Sequence, residues 1–349
     1  MARLIRWLNL FGRLNSVLLA LRLRVNEFDF IATYLAPLAG PGGLSLKDDA
    51  ALLKPALGKD LILTKDMMVE GVHFPKGHFG GDTAEKLLRV NLSDLAAKGA
   101  HPVGYLLSIA WPKGIEQAYF KGFAAGLRDV QEAYDFKLLG GDTTSIDGPM
   151  VVSATLIGEV PEGTMVKRSG ANIGDDIWVT GTIGDAYLGL QTVLGEALQP
   201  QPNPKALWQF EEAYYRPEPR LLFRKSLRQY ANSCADISDG FVADAGHVAK
   251  SSGVKFTIDA DKIPLSSHAG AWLSEQSKEE QAFKRLITAG DDYELVFTAA
   301  PDNAANLRKA AKIIGLRLSK VGDVQKGEGV SILSDGKIMS FDKTGHKHF

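Results

Sequence analysis

Two α/β domains are the fold class that this sequence predicts, on three observations. Strand-like and helix-like segments alternate in both halves of the chain, the pattern of sheets covered by helices. A turn-rich stretch, "PEGTMVKRSGANIG", separates the halves near residues 160–172. The 349 residues, 45% hydrophobic and 23% charged, suit two globular domains of ordinary size.

The elements follow in order. Residues 26–36 predict a short helix, with Phe28, Ile31 and Leu35 at helical spacing, and "APLAGPGG" breaks it. "DLILTKDMMVEGVHF" reads as a strand. "DTAEKLLRVNLSDLAAKGA" reads as a helix with Asp82 as N-cap and Gly99 near its end. "GYLLSIAWP" is a strand, "QAYFKGFAAGLRDVQEAYD" a helix, "FKLLGGDTT" a strand running into a loop, and "MVVSATLIGEV" a strand. The second half opens with strand, Gly-containing turn and helix in "DDIWVTGTIGDAYLGLQTVL". A polar, proline-rich segment covers 199–220. "CADISDGFVADAGHVAKSSG" is a strand end and a helix, "KRLITAGDDYELVFTA" a strand pair around an acidic turn, and "AANLRKAAKIIG" a helix.

Composition narrows the function classes. A formal net charge of −1 gives no electrostatic reason to expect nucleic acid. The single cysteine, Cys234, excludes an internal disulfide framework and thiolate zinc sites, and fits a reducing cytoplasm. Residues 1–24 carry five arginines and no acid, and their apolar runs are too short to span a bilayer. They read as a non-essential basic extension ahead of domains at 25–162 and 163–349. G-x-x-x-x-G-K-[ST], H-E-x-x-H and G-x-S-x-G are missing, and the histidines are scattered, so a nucleophilic triad has little support.

Five acidic sites share one context, a carboxylate at a strand end or turn beside Gly, Ser or Thr. They are Asp48 and Asp49, Asp66, Asp142, Asp236 and Asp239, and Asp291 and Asp292. Each alone reads as turn or capping chemistry. Together they suit magnesium, which takes hard oxygen ligands and bridges carboxylates to substrate phosphates. In "DISDG", free N–H groups at a helix start would favour a phosphate nearby. Asp94 is the sharpest single clue. On a helical wheel Leu87, Leu88, Leu92 and Leu95 form one apolar arc, with Asn91 inside it and Asp94 at its edge. An acid turned towards a core needs a metal or a hydrogen-bonded partner, and the wheel alone leaves both open. The chemistry that such a site suits is phosphoryl transfer, which needs positioning and charge neutralisation rather than a covalent nucleophile.

The ordered set "DDAALL", "VEGVHF", "VNLSDLAAKGA", "LLGGDTT", "KRSGA", "VTGTIGDA", "DISDG" and "GDDYELVF" closely resembles the thiamine-monophosphate kinase family, from about residue 26 to the C-terminus. The wider superfamily includes aminoimidazole-ribonucleotide synthetase and selenophosphate synthetase. The resemblance implies a homodimer whose N-terminal mixed sheets build a shared barrel, and a C-terminal α/β sandwich-like domain. It implies a cytoplasmic enzyme that moves the γ-phosphoryl group of ATP onto thiamine phosphate with several Mg²⁺ ions. By motif, Asp49, Thr64, Asp66, Asp94, Asp142, Asp236 and Asp239 would be metal ligands. Gly141, Asp142, Arg168 and Ser238 would contact ATP, and His73, Asp291 and His346 would face thiamine phosphate. The sequence departs from the family at Lys47, usually Gly, and at Lys65, usually a hydroxyl residue, which here would bring positive charge towards a phosphate. It departs again at Ser145, often Arg, and at His346, where an aromatic residue usually precedes the terminal "HF". The alternatives are a sibling ATP-dependent enzyme of the superfamily or a weakly active nucleotide-binding protein.

Overall fold

The computed structural model describes residues 26–346, so the basic extension at 1–24 lies outside the described residues. The first half builds on a four-stranded sheet. A helical turn α1 (Glu27–Phe30) runs into a π-helical turn (Ile31–Leu35), then come β1 (Lys59–Val69), α2 (Gly81–Ala97), β2 (His101–Pro112), α3 (Gln117–Tyr134), β3 (Lys137–Ile146) and β4 (Val151–Pro161). The strand order is β1-β4-β2-β3, with β2 and β3 parallel and the other pairs antiparallel. This mixed sheet presents one face to α2 and α3. Leu87, Leu88, Leu92 and Leu95 of α2 are fully buried in that core with Leu107, Phe123, Leu127 and Val152, as the apolar arc predicts.

The second half builds on a seven-stranded sheet of order β11-β10-β7-β9-β5-β8-β6. Its elements are β5 (Asp176–Thr180), α4 (Asp185–Val193), α5 (Pro204–Tyr215), α6 (Arg224–Tyr230), β6 (Ser233–Asp236), α7 (Phe241–Ser252), β7 (Lys255–Asp259), α8 (Ser267–Ser274), α9 (Glu279–Thr288), β8 (Leu295–Ala299), α10 (Ala304–Ile313), β9 (Leu318–Gln325), β10 (Gly329–Ser334) and β11 (Lys337–Ile338). Successive strand residues point to opposite faces. Ile177 and Val179 therefore join the core under α7 and α9, while Trp178 joins the core under α6 and α10. Cys234 is buried in β6, and burial pushes its thiol up to about 12, so it serves as a small apolar residue.

Helix α2 lies between the two sheets. Its leucines face the first sheet, whereas Ala97 joins the core of the second half. The Ser93 hydroxyl donates to Tyr293 O at 3.3 Å and Lys98 Nζ to Cys234 O at 3.0 Å. One helix thus fixes the distance between residues of both halves.

Several elements differ from the sequence reading. Residues 284–288 belong to helix α9. The expected strand came from a window that began at Lys284 and missed the acidic first turn, Glu279 and Glu280, and the Ala282–Leu286 spacing. "GGDTT" continues β3 instead of looping, with Gly141 opposite Leu107 and Asp142 opposite Ser108. Glycine is required there because a Cβ on residue 141 would stand 1.8 Å from Leu107 O. The first strand stops at Val69, and Glu70 bridges back to Phe74. The N-cap of α2 is Gly80; Asp82 lies in the first turn, where Arg216 pairs with it.

Candidate active site

Three acids from three elements converge on the C-terminal part of α2. Asn91 sets the register of β1 against the helix: its Oδ1 accepts the Asp66 N–H at 3.1 Å and its Nδ2 donates to Leu87 O at 2.8 Å. The fully buried Asn91 is therefore a structural clamp. Asp94, one turn on, accepts from the Thr64 hydroxyl. Asp66 shares the inner side of β1 with Thr64. Burial first, then repulsion from Asp94, pushes its carboxyl up to about 7, with Lys65 pulling the other way. Asp236, at the end of β6, is held well above the usual carboxylate range by burial and then by Asp94 and Asp244. Asp94 thus holds up the carboxyls of both neighbours, and a cation among the three would relieve that. The donor set is carboxylate and hydroxyl oxygen, which fits magnesium.

The "DISDG" turn that follows β6 departs from expectation. Its N–H groups are not free for a phosphate. Those of Ser238, Asp239 and Gly240 all donate to Asp244 Oδ2, at 3.0, 3.0 and 3.2 Å. The chain has placed its own anion at the start of α7. Asp244 lies outside the five acidic motifs, and the signal that points to it is an acid in the first turn of a helix. Asp239 also lies with Asp244 and His247 in a group whose ligand atoms are within 4.8 Å of one another.

The "GDDYE" turn packs directly on "DISDG". Asp291 N–H donates to Ser238 O and Tyr293 N–H to Ile237 O, both near 2.9 Å. Gly290 is held so close that a Cβ would meet Ser238 O at 2.2 Å. Asp291 and Tyr293 both have positive φ, 72° and 49°. Behind them Arg220 makes a fork-to-fork pair with the buried Glu294, which also accepts from Thr180. Asp291 faces Lys86, whose Nζ lies 3.2 Å from its Oδ2 and 3.4 Å from the centre of the Tyr214 ring. The Tyr214 hydroxyl donates to His73 O at 3.0 Å, so His73 and Asp291 border one region. The His73 ring accepts the Val69 N–H through Nδ1 at 3.1 Å. His346 joins from the chain end, its N–H donating to Asp239 O at 2.9 Å.

Asp49 and Asp142 form a second group. Together with Asp48, Leu106, Leu138, Gly141 and Thr143 they line a cavity of about 450 Å³ beside β3. Asp142 is exposed and opposite Ser108, on the sheet face away from α2. β1 and β3 are the two edges of the sheet, three strand spacings or about 14 Å apart. Within one chain, then, Asp142 is well separated from Asp66. Lys65 is also on the outer face, where its Nζ donates to Ser153 Oγ at 2.7 Å. Adjacent strand residues project to opposite sides, so Lys65 is turned away from the Asp66 side of β1. Lys47, Ser145 and Arg168 are exposed; the Arg168 carbonyl accepts the Ser252 hydroxyl at 3.5 Å.

Comparison with known proteins agrees with this architecture. Residues 47–160 match the AIR synthase related protein N-terminal domain, and residues 172–335 the corresponding C-terminal domain. The thiamine-monophosphate kinase of Caulobacter vibrioides is 43% identical over 92% of this chain and 90% of its own length. The crystal structure of the thiamine-monophosphate kinase from Stenotrophomonas maltophilia superposes with a TM-score of 0.75 at 37% identity, covering 84% of this chain and 91% of the other. AaThiL complexed with AMPPCP and TMP superposes with a TM-score of 0.74 at 32% identity, covering 93% and 97%. Among the described residues, no helix is long and apolar enough to cross a membrane.

Proposed function

This chain belongs to the thiamine-monophosphate kinase family, and from that membership we infer that it phosphorylates thiamine phosphate with ATP to give thiamine diphosphate. The observation that carries the reading is the crowding of Asp66 and Asp236 against Asp94 at the junction of the two sheets. The transfer is direct and in line, and closes thiamine diphosphate synthesis. Thr64, Asp66, Asp94, Asp236 and Asp239 are the residues to hold magnesium on the inner side, with Asp49 and Asp142 on the outer. Bound magnesium supplies the charge neutralisation that lets two anionic phosphates approach. Gly141, Asp142, Arg168 and Ser238 contact ATP, and His73, Asp291 and His346 border the acceptor. Residues 25–162 form the ATP- and magnesium-binding and dimerisation domain, and 163–349 the second domain, which adds Arg168, Asp236, Ser238 and Asp239 to that site.

The outer face of the first sheet supports the homodimer reading. Leu63, Met67 and Leu106 are 65%, 56% and 40% exposed there, in mid-strand. Among the described residues, β1 is an unpaired edge. A barrel shared by two chains would cover this face and bring Asp49 and Asp142 of one protomer towards the β1 edge of its partner. Such a site would unite two acidic groups that one chain keeps apart. The buried lone thiol fits a reducing cytoplasm.

The test is product formation. Purified protein with ATP, Mg²⁺ and thiamine phosphate should yield thiamine diphosphate and ADP in equal amounts, resolved by chromatography of the thiamine esters. ATP binding without any thiamine diphosphate would overturn the enzyme reading. Turnover only with another acceptor would point to a sibling enzyme.

A further inference from the structure

Lys86 stands out because nothing in its sequence position marks it for burial. It lies in mid-helix on α2, and its side chain is 2% exposed. A lysine ammonium is almost never buried without a specific partner, since desolvating it costs several kcal/mol. Here the partners are Asp291 Oδ2 at 3.2 Å and the face of Tyr214 at 3.4 Å. Among the described residues its Nζ has no further acceptor. Burial lowers the affinity of this amine for its proton, and the Asp291 charge works against that loss.

Each partner leads to another part of the acceptor region. Asp291 is anchored through its N–H to Ser238 O and is held at positive φ. Tyr214 carries His73 through its hydroxyl. Lys86 therefore joins a helix that also carries Asp94 to the turn and the helix that wall the acceptor. We infer that Lys86 is a positioning residue, which fixes the Asp291 carboxylate and the Tyr214 ring in the orientation that receives the phosphorylated acceptor. This rests on the assignment of Asp291 to the acceptor side. The ammonium holds the Asp291 carboxylate towards α2, where the Tyr293 side chain also bonds to it. Without it, Asp291 would be free to turn to solvent, since it is 29% exposed.

The test is a double-mutant cycle on the full chain with Lys86→Met, Asp291→Asn and the pair. Methionine keeps the length and removes the charge; asparagine tolerates the left-handed backbone. KM for thiamine phosphate, KM for ATP, kcat and melting temperature are read for each. Lys86→Met should raise KM for thiamine phosphate about tenfold, leave KM for ATP within about twofold, and leave the melting temperature nearly unchanged. In the Asp291→Asn background it should add nothing. If both KM values rise together, or the two effects multiply, Lys86 does not act through Asp291 and the inference is overturned. If Asp291→Asn raises the acceptor KM and Lys86→Met does not, the inference alone falls. If Asp291→Asn leaves that KM unchanged, the acceptor assignment falls first and takes the inference with it. Should Lys86→Met not fold, Lys86→Gln is read on the same scales.

Discussion

The two faces of the first sheet differ more than their shared strands suggest. On the inner face, Thr64 and Asp66 meet Asn91 and Asp94 in a partly buried junction where Asp94 crowds Asp66. On the outer face, Leu63, Lys65 and Met67 are exposed, and Asp142 borders an open cavity. Residues adjacent in "LTKDMM" thus occupy opposite environments. Reactive groups that are neighbours in sequence need not be neighbours in chemistry, and the inner face is where charge is most costly and so most useful.

The sharpest way to break this contrast is Asp94→Asn. The change is nearly isosteric and relieves repulsion on Asp66 and Asp236, while removing charge that a metal would need. Activity should fall about 100- to 1000-fold with the melting temperature equal or higher. Parallel loss of rate and stability would make Asp94 a scaffold residue.

A smaller effect tests the crowding itself. Asp66 titrates at about 7 in the folded protein against an ordinary aspartate value of 3.8. Between those values the folded state binds more protons than the unfolded chain, so this group lowers stability as pH rises through the window. Metal-free Asp66→Asn should match the parent melting temperature near pH 4 and exceed it by a few degrees at pH 8. A gap that does not widen with pH would show that the inner face is not electrostatically strained.

The smallest effect belongs to the outer face. Lys65→Thr removes a cation bonded to Ser153 on the sheet face away from α2. It should change kcat and the Mg²⁺ requirement by no more than about twofold in the product assay. A loss above tenfold would instead place Lys65 in the reaction, at the outer acidic group that a shared barrel would bring to β1.

Much of this was legible in the sequence. The arc of Leu87, Leu88, Leu92 and Leu95 predicted which side of α2 meets the sheet, and the Gly and Asp motifs marked the turns. Lys86 was not legible, because on the wheel it lies opposite that arc and reads as solvent-facing. Only the packing of the second half against the back of α2 buries it. The side of β1 on which Lys65 stands follows from the period of two, opposite to Thr64 and Asp66. Asp244 was legible in principle as a first-turn acid. Its ownership of three N–H groups, however, depends on the tight turn at Gly240, where φ is 128°.

The close approach of Gly290 to Ser238 has a consequence for inheritance. With backbone oxygen where a side chain would otherwise stand, "DISDG" and "GDDYE" form a single mechanical part assembled from segments 50 residues apart. Either motif transplanted alone into a related scaffold would arrive without the surface that shapes it. Recombination between relatives should therefore preserve both segments from one parent or neither.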